Sequence, residues 1–254
     1  MEKVLRINMS NESGPAVSEE TIGDYAGLGG RGLTSVIVST EVPPLCHPLG
    51  ADNKLVIAPG LLSGSLGAMS GRLSIGCKSP LTGGIKESNA GGQPSQMLAR
   101  LGYAAIILEG KPADDTLYKV LINQNGAEIL PDNDLRMMTN YDLVARMTKE
   151  YGDKISCVSI GPAGEMKLSA ASIACTDPEL RPTRHAGRGG VGAVMGAKGV
   201  KVIVIDDAGT KTRSAADPEK FNAANKEWVK GLKAHPVTSE TLPMYGTNGV
   251  TNAL

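Results

Sequence analysis

Two stretches of this chain repeat one pattern, and that repeat constrains the fold more than any other feature. The first runs Asn89-Ala90-Gly91-Gly92-Gln93-Pro94-Ser95-Gln96-Met97, then Gly102, then the apolar run Tyr103 to Leu108 and Glu109. The second runs Arg188-Gly189-Gly190-Val191-Gly192-Ala193-Val194-Met195, then Gly199, then Val200 to Ile205 and Asp206. In both, a Gly-Gly pair is followed five residues later by Met, then by Gly, a strand-like run and an acidic residue. Upstream, Leu55 to Gly60 leads to Gly71-Arg72, and Cys157 to Pro162 leads to Gly187-Arg188, which extends the echo. Two related halves predict a pseudo-symmetric platform. Each half offers Gly-rich backbone beside an Arg, which suits a phosphate-bearing ligand, and two halves suit a pair of similar ones.

The composition supports a packed domain. Apolar residues make up 41% of 254, enough for a core, but aromatics only 3%, so Val, Ile, Leu, Ala and Met must fill it. The 32 glycines cluster at turns between apolar runs, which favours tight backbone packing or ligand approach over disorder. Net charge is zero and no basic tract occurs, which argues against nucleic acid and anionic membrane as partners. No segment approaches the roughly 18 apolar residues of a membrane span, and Met1 to Arg6 lacks a signal-peptide core. A cytoplasmic protein is expected. Cys46, Cys77, Cys157 and Cys175 are too dispersed for a C-x-x-C ligand pair and read as buried reduced thiols in strands.

Strands are predicted at Val4–Asn8, Leu55–Ala58, Arg72–Cys77, Tyr103–Leu108, Tyr118–Ile122, Ile155–Ile160, Leu168–Ala174 and Val200–Ile205, with Tyr103–Leu108 and Tyr118–Ile122 as neighbours. Asn125-Gly126 signals a hairpin closing on Glu128 to Leu130. Ser18 is read as the cap of a helix carrying Glu19 and Glu20 in its first turn. Further helices are expected over Leu33–Thr40, over Gln93–Arg100, and from Thr139 or Asn140 to Glu150 before Gly152. After Asp206 the composition changes. Asp217-Pro218 opens a helix whose Phe221, Ala224, Trp228 and Leu232 share one face, with little chain left to bury it. Residues 1–208 read as one domain, and 209–254 as a linker and the first helix of an incomplete second domain. The unburied face around Phe221, Trp228 and Leu232 predicts association, as a homo-oligomer or with another chain, or else disorder in the C-terminal tail.

Gly-Gly at a helix start leaves backbone N–H groups free and adds the positive end of the helix dipole. The alternative is close backbone packing alone. Arg72 and Arg188 sit among small residues and suit a phosphate or an electron-rich ring edge, or else a structural ion pair. Arg184 shares both readings. Asn89 either caps the helix or turns carbonyls to a cation. His185 is a proton relay or a hydrogen-bonding loop residue, and His47 and His235 have no constellation around them. No Walker loop is present, and Gly187-Arg188-Gly189-Gly190-Val191-Gly192 matches Gly-x-Gly-x-x-Gly without a strand–turn–helix setting for a dinucleotide. No Ser nucleophile elbow or Cys-His pair is evident.

The same residues resemble the N-terminal domain of the aldehyde ferredoxin oxidoreductase family, tungsten enzymes with two pterins. The resemblance is carried by Gly29-Gly30-Arg31-Gly32-Leu33, Asn53 to Gly60, Ser70-Gly71-Arg72, Lys78-Ser79-Pro80-Leu81-Thr82-Gly83, Ser88 to Gly92, Ser159 to Glu165 and Ala186 to Gly196. It implies an α+β fold: a pseudo-two-fold base of two related β-sheets with flanking helices, followed by the start of a helical domain. It implies a tungsten (or molybdenum) bis-molybdopterin cofactor lying on that base. Arg72 would sit by the pterin and a nearby [4Fe–4S] cluster. The backbone at Asn89 and His185 would hold a Mg²⁺ bridging the pterin phosphates. Ala90, Gly91, Gly92, Arg184 and the Gly187, Arg188, Gly189, Gly190 loop would line the pterins. The family usually has Ala where His185 stands, a change that leaves a backbone contact intact.

The family oxidises aldehydes to carboxylic acids and passes electrons through the cluster to ferredoxin, so a ferredoxin-type acceptor is the implied partner. The cluster cysteines and substrate pocket belong to later domains, so this chain is expected to be inactive alone and to need a C-terminal region or another subunit. The competing readings are a non-catalytic pterin-binding subunit and a structural remnant that binds nothing.

Overall fold

The computed structural model describes residues 3–10 and 14–251. Six strands of the first half, β1 (Lys3–Asn8), β2 (Ala16–Thr21), β3 (Leu55–Pro59), β4 (Leu73–Lys78), β5 (Ile85–Ala90) and β6 (Tyr103–Glu109), form one sheet in the order β2-β1-β6-β3-β4-β5. Six of the second half, β7 (Tyr118–Asn123), β8 (Gly126–Pro131), β9 (Ile155–Ser159), β10 (Ile173–Cys175), β11 (Arg184–Ala186) and β12 (Val200–Asp206), form another in the order β11-β10-β9-β12-β7-β8. Reading the second sheet from its β8 end gives the first sheet's topology strand for strand. Each sheet has one parallel pair, β1 with β6 and β7 with β12, and in each the longer strand carries an extra residue at its start, Ala104 and Lys201. The repeat seen in the sequence is therefore a pseudo-two-fold pair of mixed sheets.

Alternation along these strands divides the apolar residues between two faces. The inner faces of both sheets share one core, Leu5, Ile57, Ile75 and Ile106 from the first and Val120, Val158, Ile173 and Ile203 from the second. Two short helices, α2 (Pro94–Arg100) and α5 (Val191–Ala197), lie within it and contribute Met97, Leu98, Val194 and Met195. These are the helices that follow the two Gly-Gly pairs. The outer face of the first sheet packs Val56 and Ile107 on Leu33, Ile37 and Val38 of α1 (Gly30–Glu41). The outer face of the second packs Cys157, Val202 and Val204 on Leu143, Val144 and Met147 of α3 (Asn140–Tyr151). Thr139 caps α3 by accepting from the Asp142 N–H, as its sequence predicts.

Four readings of the sequence are corrected. Ala16–Thr21 is an edge strand, not a helix capped by Ser18: Lys3 pairs with Glu19 and Arg6 with Glu20 across β1–β2, so the carboxylates serve cross-strand ion pairs. Tyr103–Leu108 and Tyr118–Ile122 are not neighbours, because they belong to different sheets. Leu168–Ala174 forms a strand only from Ile173, and a turn precedes it. Cys46 lies half-buried in a turn, whereas Cys77, Cys157 and Cys175 are buried in strands, where burial pushes each thiol up to about 12.

A four-residue turn of helix, α4 (Pro162–Glu165), follows β9, and α6 (Pro218–Ala234) follows the second sheet. Asp217 caps α6 at the Lys220 N–H, and no residue of α6 is buried. Its Asn225 and Trp228 side chains bond to the backbone of Leu66 and Ala68, which fixes the helix on the loop before β4. Among the described residues, no helix is long and apolar enough to cross a membrane.

Candidate functional site

The edge strands β5 and β11 adjoin, and the site is built where they meet. Register fixes what each presents. Ala90 lies opposite Leu73 on β4, and Ala186 opposite Ile173 on β10. Both alanines enter the inner core. The residue before each must then face the outside of its sheet. Those residues are Asn89 and His185, opposite Ser74 and Ala174. Each strand thus ends in a polar residue, then Ala-Gly, and the Gly-Gly turn follows.

These equivalences revise the partner of Arg72. Arg72 precedes β4, so its counterpart is Ser172, which precedes β10. Arg188 follows β11 and lies in a turn two residues longer than its first-half equivalent, between Ala186 and the left-handed Gly190 rather than between Ala90 and the left-handed Gly92. The two arginines are not symmetry mates.

The glycines fall into two groups. Gly92, Gly189 and Gly190 have φ between +71° and +102°, and a Cβ on any of them would lie under 3.0 Å from Thr176, from Lys86, or from Ser169 and Pro80. The fold itself requires these three. The backbone groups nearby are also partly used: the Gln93 N–H donates to Thr176 O at 3.0 Å, the Gly192 N–H to Ala171 O at 2.9 Å, and Ser79 Oγ to Gly189 O at 2.7 Å. Gly187 differs. Its φ is ordinary, it is exposed, and a Cβ there would meet nothing within 4 Å. Gly91 is similar, with only Arg72 Nη1 near, at 3.5 Å. Nothing inside the chain asks for glycine at these two positions, which leaves room for something approaching from outside.

A groove of about 660 Å³ opens along the seam. Arg31 and Ser35 of α1 form one wall, Ile85 to Asn89 of β5 the floor, and His185, Gly187 and Arg188 the other wall. Arg31, Lys86 and Arg188 face a single carboxylate, Glu87, so the groove carries a positive excess and attracts anions. Glu87 pairs with Arg31 at 3.1 Å, while its other oxygen, Oε1, is buried with no hydrogen-bond partner among the described residues. The Arg188 N–H donates to Ser88 Oγ at 3.0 Å and ties the two edges together, and its guanidinium makes no ion pair among the described residues. Ser172 Oγ lies 2.9 Å from His185 Nδ1.

Of the residues singled out in the sequence, the groove brings together Asn89, His185, Gly187 and Arg188. Arg72 and Gly91 do not line it, though Arg72 Nη1 lies beside Gly91. Arg184 is exposed at the far end of β11, Ala90 is buried, and Gly92, Gly189 and Gly190 pack the seam. Sequence reasoning missed Arg31, Lys86, Glu87 and Ser172 as neighbours. The alternation Glu87-Ser88-Asn89-Ala90 was the available signal, since a core alanine implies that Asn89 and Glu87 share the opposite face. Among the described residues, no three His, Cys, Asp or Glu side chains converge to hold a metal ion. The donor set fits a phosphate-bearing group: unpaired cations, one orphaned acceptor for a ligand N–H, and glycines where a Cβ would intrude on the ligand's side.

The family described as "Aldehyde ferredoxin oxidoreductase, N-terminal domain" matches residues 4–207. The chain is 38% identical over 255 residues to the tungsten-containing aldehyde ferredoxin oxidoreductase of Pyrococcus furiosus, covering 99% of this chain and 40% of that protein. It is 29% identical to the WOR-like subunit of an aliphatic sulfonate oxidoreductase from the same organism, covering 91% and 38%. Among solved structures it is similar to a chain of the active-site complex BamBC of benzoyl coenzyme A reductase with 1,5-dienoyl-CoA, at a TM-score of 0.82 and 30% identity, covering 91% of this chain and 34% of that one. The chain spans about 40% of the length of the curated tungsten relatives it matches.

Proposed function

The chain belongs to the aldehyde ferredoxin oxidoreductase family, and on that premise we propose that it is the cofactor-binding portion of an oxidoreductase converting aldehydes to carboxylic acids at a tungsten (or molybdenum) bis-molybdopterin centre. The observation that supports this most directly is the seam. Two pseudo-equivalent turns meet there beside a cationic groove, and each begins with a glycine, Gly91 and Gly187, that packing inside the chain does not explain.

In this reading Arg72, Arg184, Gly91 and the Gly187–Gly190 turn hold the two pterins. The backbone at Asn89 and His185 would hold a Mg²⁺ beside the pterin phosphates. Bound metal and dithiolene sulfurs supply the two-electron redox chemistry. The residues of this chain supply position and charge: Arg188 and Lys86 neutralise phosphate, and Glu87 Oε1 accepts from a ligand N–H. None of them is assigned a proton-transfer step. Residues 1–208 form the cofactor-binding unit and 209–254 lead into a second one. A [4Fe–4S] cluster, the substrate pocket and the contact with a ferredoxin-type acceptor in the cytoplasm belong to further polypeptide, in the same chain or another subunit.

The test is metal and pterin content after anaerobic purification from the native host, with W, Mo, Mg and Fe by mass spectrometry and pterin by fluorescence after oxidation. The expected result is two pterins per tungsten or molybdenum. A folded chain with neither pterin nor metal overturns the reading and leaves family membership as ancestry only.

A further inference from the structure

We propose that the His185 side chain is an anion contact of the second half alongside Arg188, donating from ring Nε2 to a phosphoryl oxygen in the groove. This rests on the reading of the seam as a phosphate-binding site and adds to it a side-chain role where only a backbone contact was implied. Register puts His185 where the first half has Asn89, and Ser172 where it has Arg72. Arg72 thus has no cationic counterpart in the second half at that register, where Ser172 stands. The second half has a hydroxyl there, and this hydroxyl holds the imidazole of His185 beside Arg188.

The geometry orients the ring. Ser172 Oγ sits 2.9 Å from Nδ1, and His185 has no other side-chain hydrogen bond among the described residues. When the hydroxyl donates to Nδ1, the ring proton resides on Nε2 and that edge is a donor. His185 lines the groove. Around it stand Arg31, Lys86 and Arg188, and one carboxylate, Glu87, already committed through Oε2 to Arg31. A donor among cations favours an oxyanion.

The experiment is titration of the cofactor-free chain with inorganic pyrophosphate and Mg²⁺ by calorimetry, with His185→Ala, His185→Gln and Arg188→Ala as variants. Long-range ¹H–¹⁵N spectra of the wild-type imidazole are followed in parallel. His185→Ala is expected to weaken binding about tenfold, the effect of one hydrogen bond to a charged group at a half-open site. His185→Gln, whose Nε2 reaches the same point, is expected to stay within about threefold of wild type. The Nε2 resonance, and not Nδ1, is expected to shift on titration. Unchanged binding in His185→Ala with weakened binding in Arg188→Ala overturns the His185 assignment and leaves the groove reading intact. No binding by the wild-type chain overturns both. Should the His185 variants fail to fold, an Nε2 resonance that does not move in the wild type overturns the proposal by itself.

Discussion

Replacing Gly92 and Gly187 in turn by alanine separates the glycines that build the fold from those that leave space for a ligand. Gly92 has φ +102°, and an added Cβ would lie under 3.0 Å from the Thr176 carbonyl that also accepts from Gln93. The left-handed backbone costs an L-residue about 1–2 kcal/mol. Forcing a methyl group against fixed backbone costs about 1–3 kcal/mol more. Gly92→Ala should therefore destabilise the chain by about 2–5 kcal/mol, or roughly 4–20 °C in Tm for a domain of this size. At Gly187 the backbone is ordinary and a Cβ meets nothing within 4 Å. Gly187→Ala should leave stability unchanged or raise it by about 0.4–1 kcal/mol through the unfolded chain, while lowering pterin retention. Thermal unfolding by circular dichroism and pterin fluorescence on the same preparations read both quantities. A Gly187→Ala chain that loses stability as Gly92→Ala does, or that keeps full pterin, refutes the division of the glycines.

Three further outcomes are expected. Arg72→Ala and Arg188→Ala, which remove exposed side chains with no ion pair among the described residues, should change stability by less than about 0.5 kcal/mol yet reduce bound pterin, measured by the same pair of assays. Lys198→Met should cost about 1–3 kcal/mol in denaturant unfolding, because the buried ammonium has the carbonyls of Gly50, Ala51, Asn53 and Gly110 within hydrogen-bond reach and losing it leaves the buried Asn53 carbonyl bare. Burial pushes the Glu41 carboxyl up, but hydrogen bonds from Arg6, Lys54 and Tyr25 outweigh it and bring it down to about 2. Its folded-state value lies below its unfolded one, so the stability it adds is present above about pH 4.5 and lost as pH falls toward 2. Glu41→Gln should flatten that part of the stability–pH curve, and a curve unchanged in Glu41→Gln sinks the assignment.

Much of the fold was legible because the repeat is encoded in backbone needs. Gly92 and Gly190 require left-handed backbone, Gly102 and Gly199 stop the helices that follow, and β6 and β12 are buried on both faces and read as continuous apolar runs. β2 was not legible, since an exposed edge strand made of Ser18, Glu19 and Glu20 is as polar as a helix start and only its partners Lys3 and Arg6 decide. The pairing of Arg72 with Arg188 failed for a related reason. Gly-Arg is a short signal, and strand register shows which side of the seam each residue occupies. Of the residues lining the groove, Asn89, His185, Gly187 and Arg188 are ones the sequence singles out. Arg31 and Ser172 arrive from distant segments and had no local signal.

The central claim is that the cofactor lies on the β5–β11 seam. The most direct test is an anomalous difference map at the tungsten L₃ edge from crystals of the loaded protein. The expected peak stands over the face bordered by Arg72, Gly91, Gly187 and Arg188, with density for phosphates reaching Asn89 and His185. A peak over the opposite seam, where β2 meets β8, or elsewhere with the Gly91–Gly187 face bare, would contradict it.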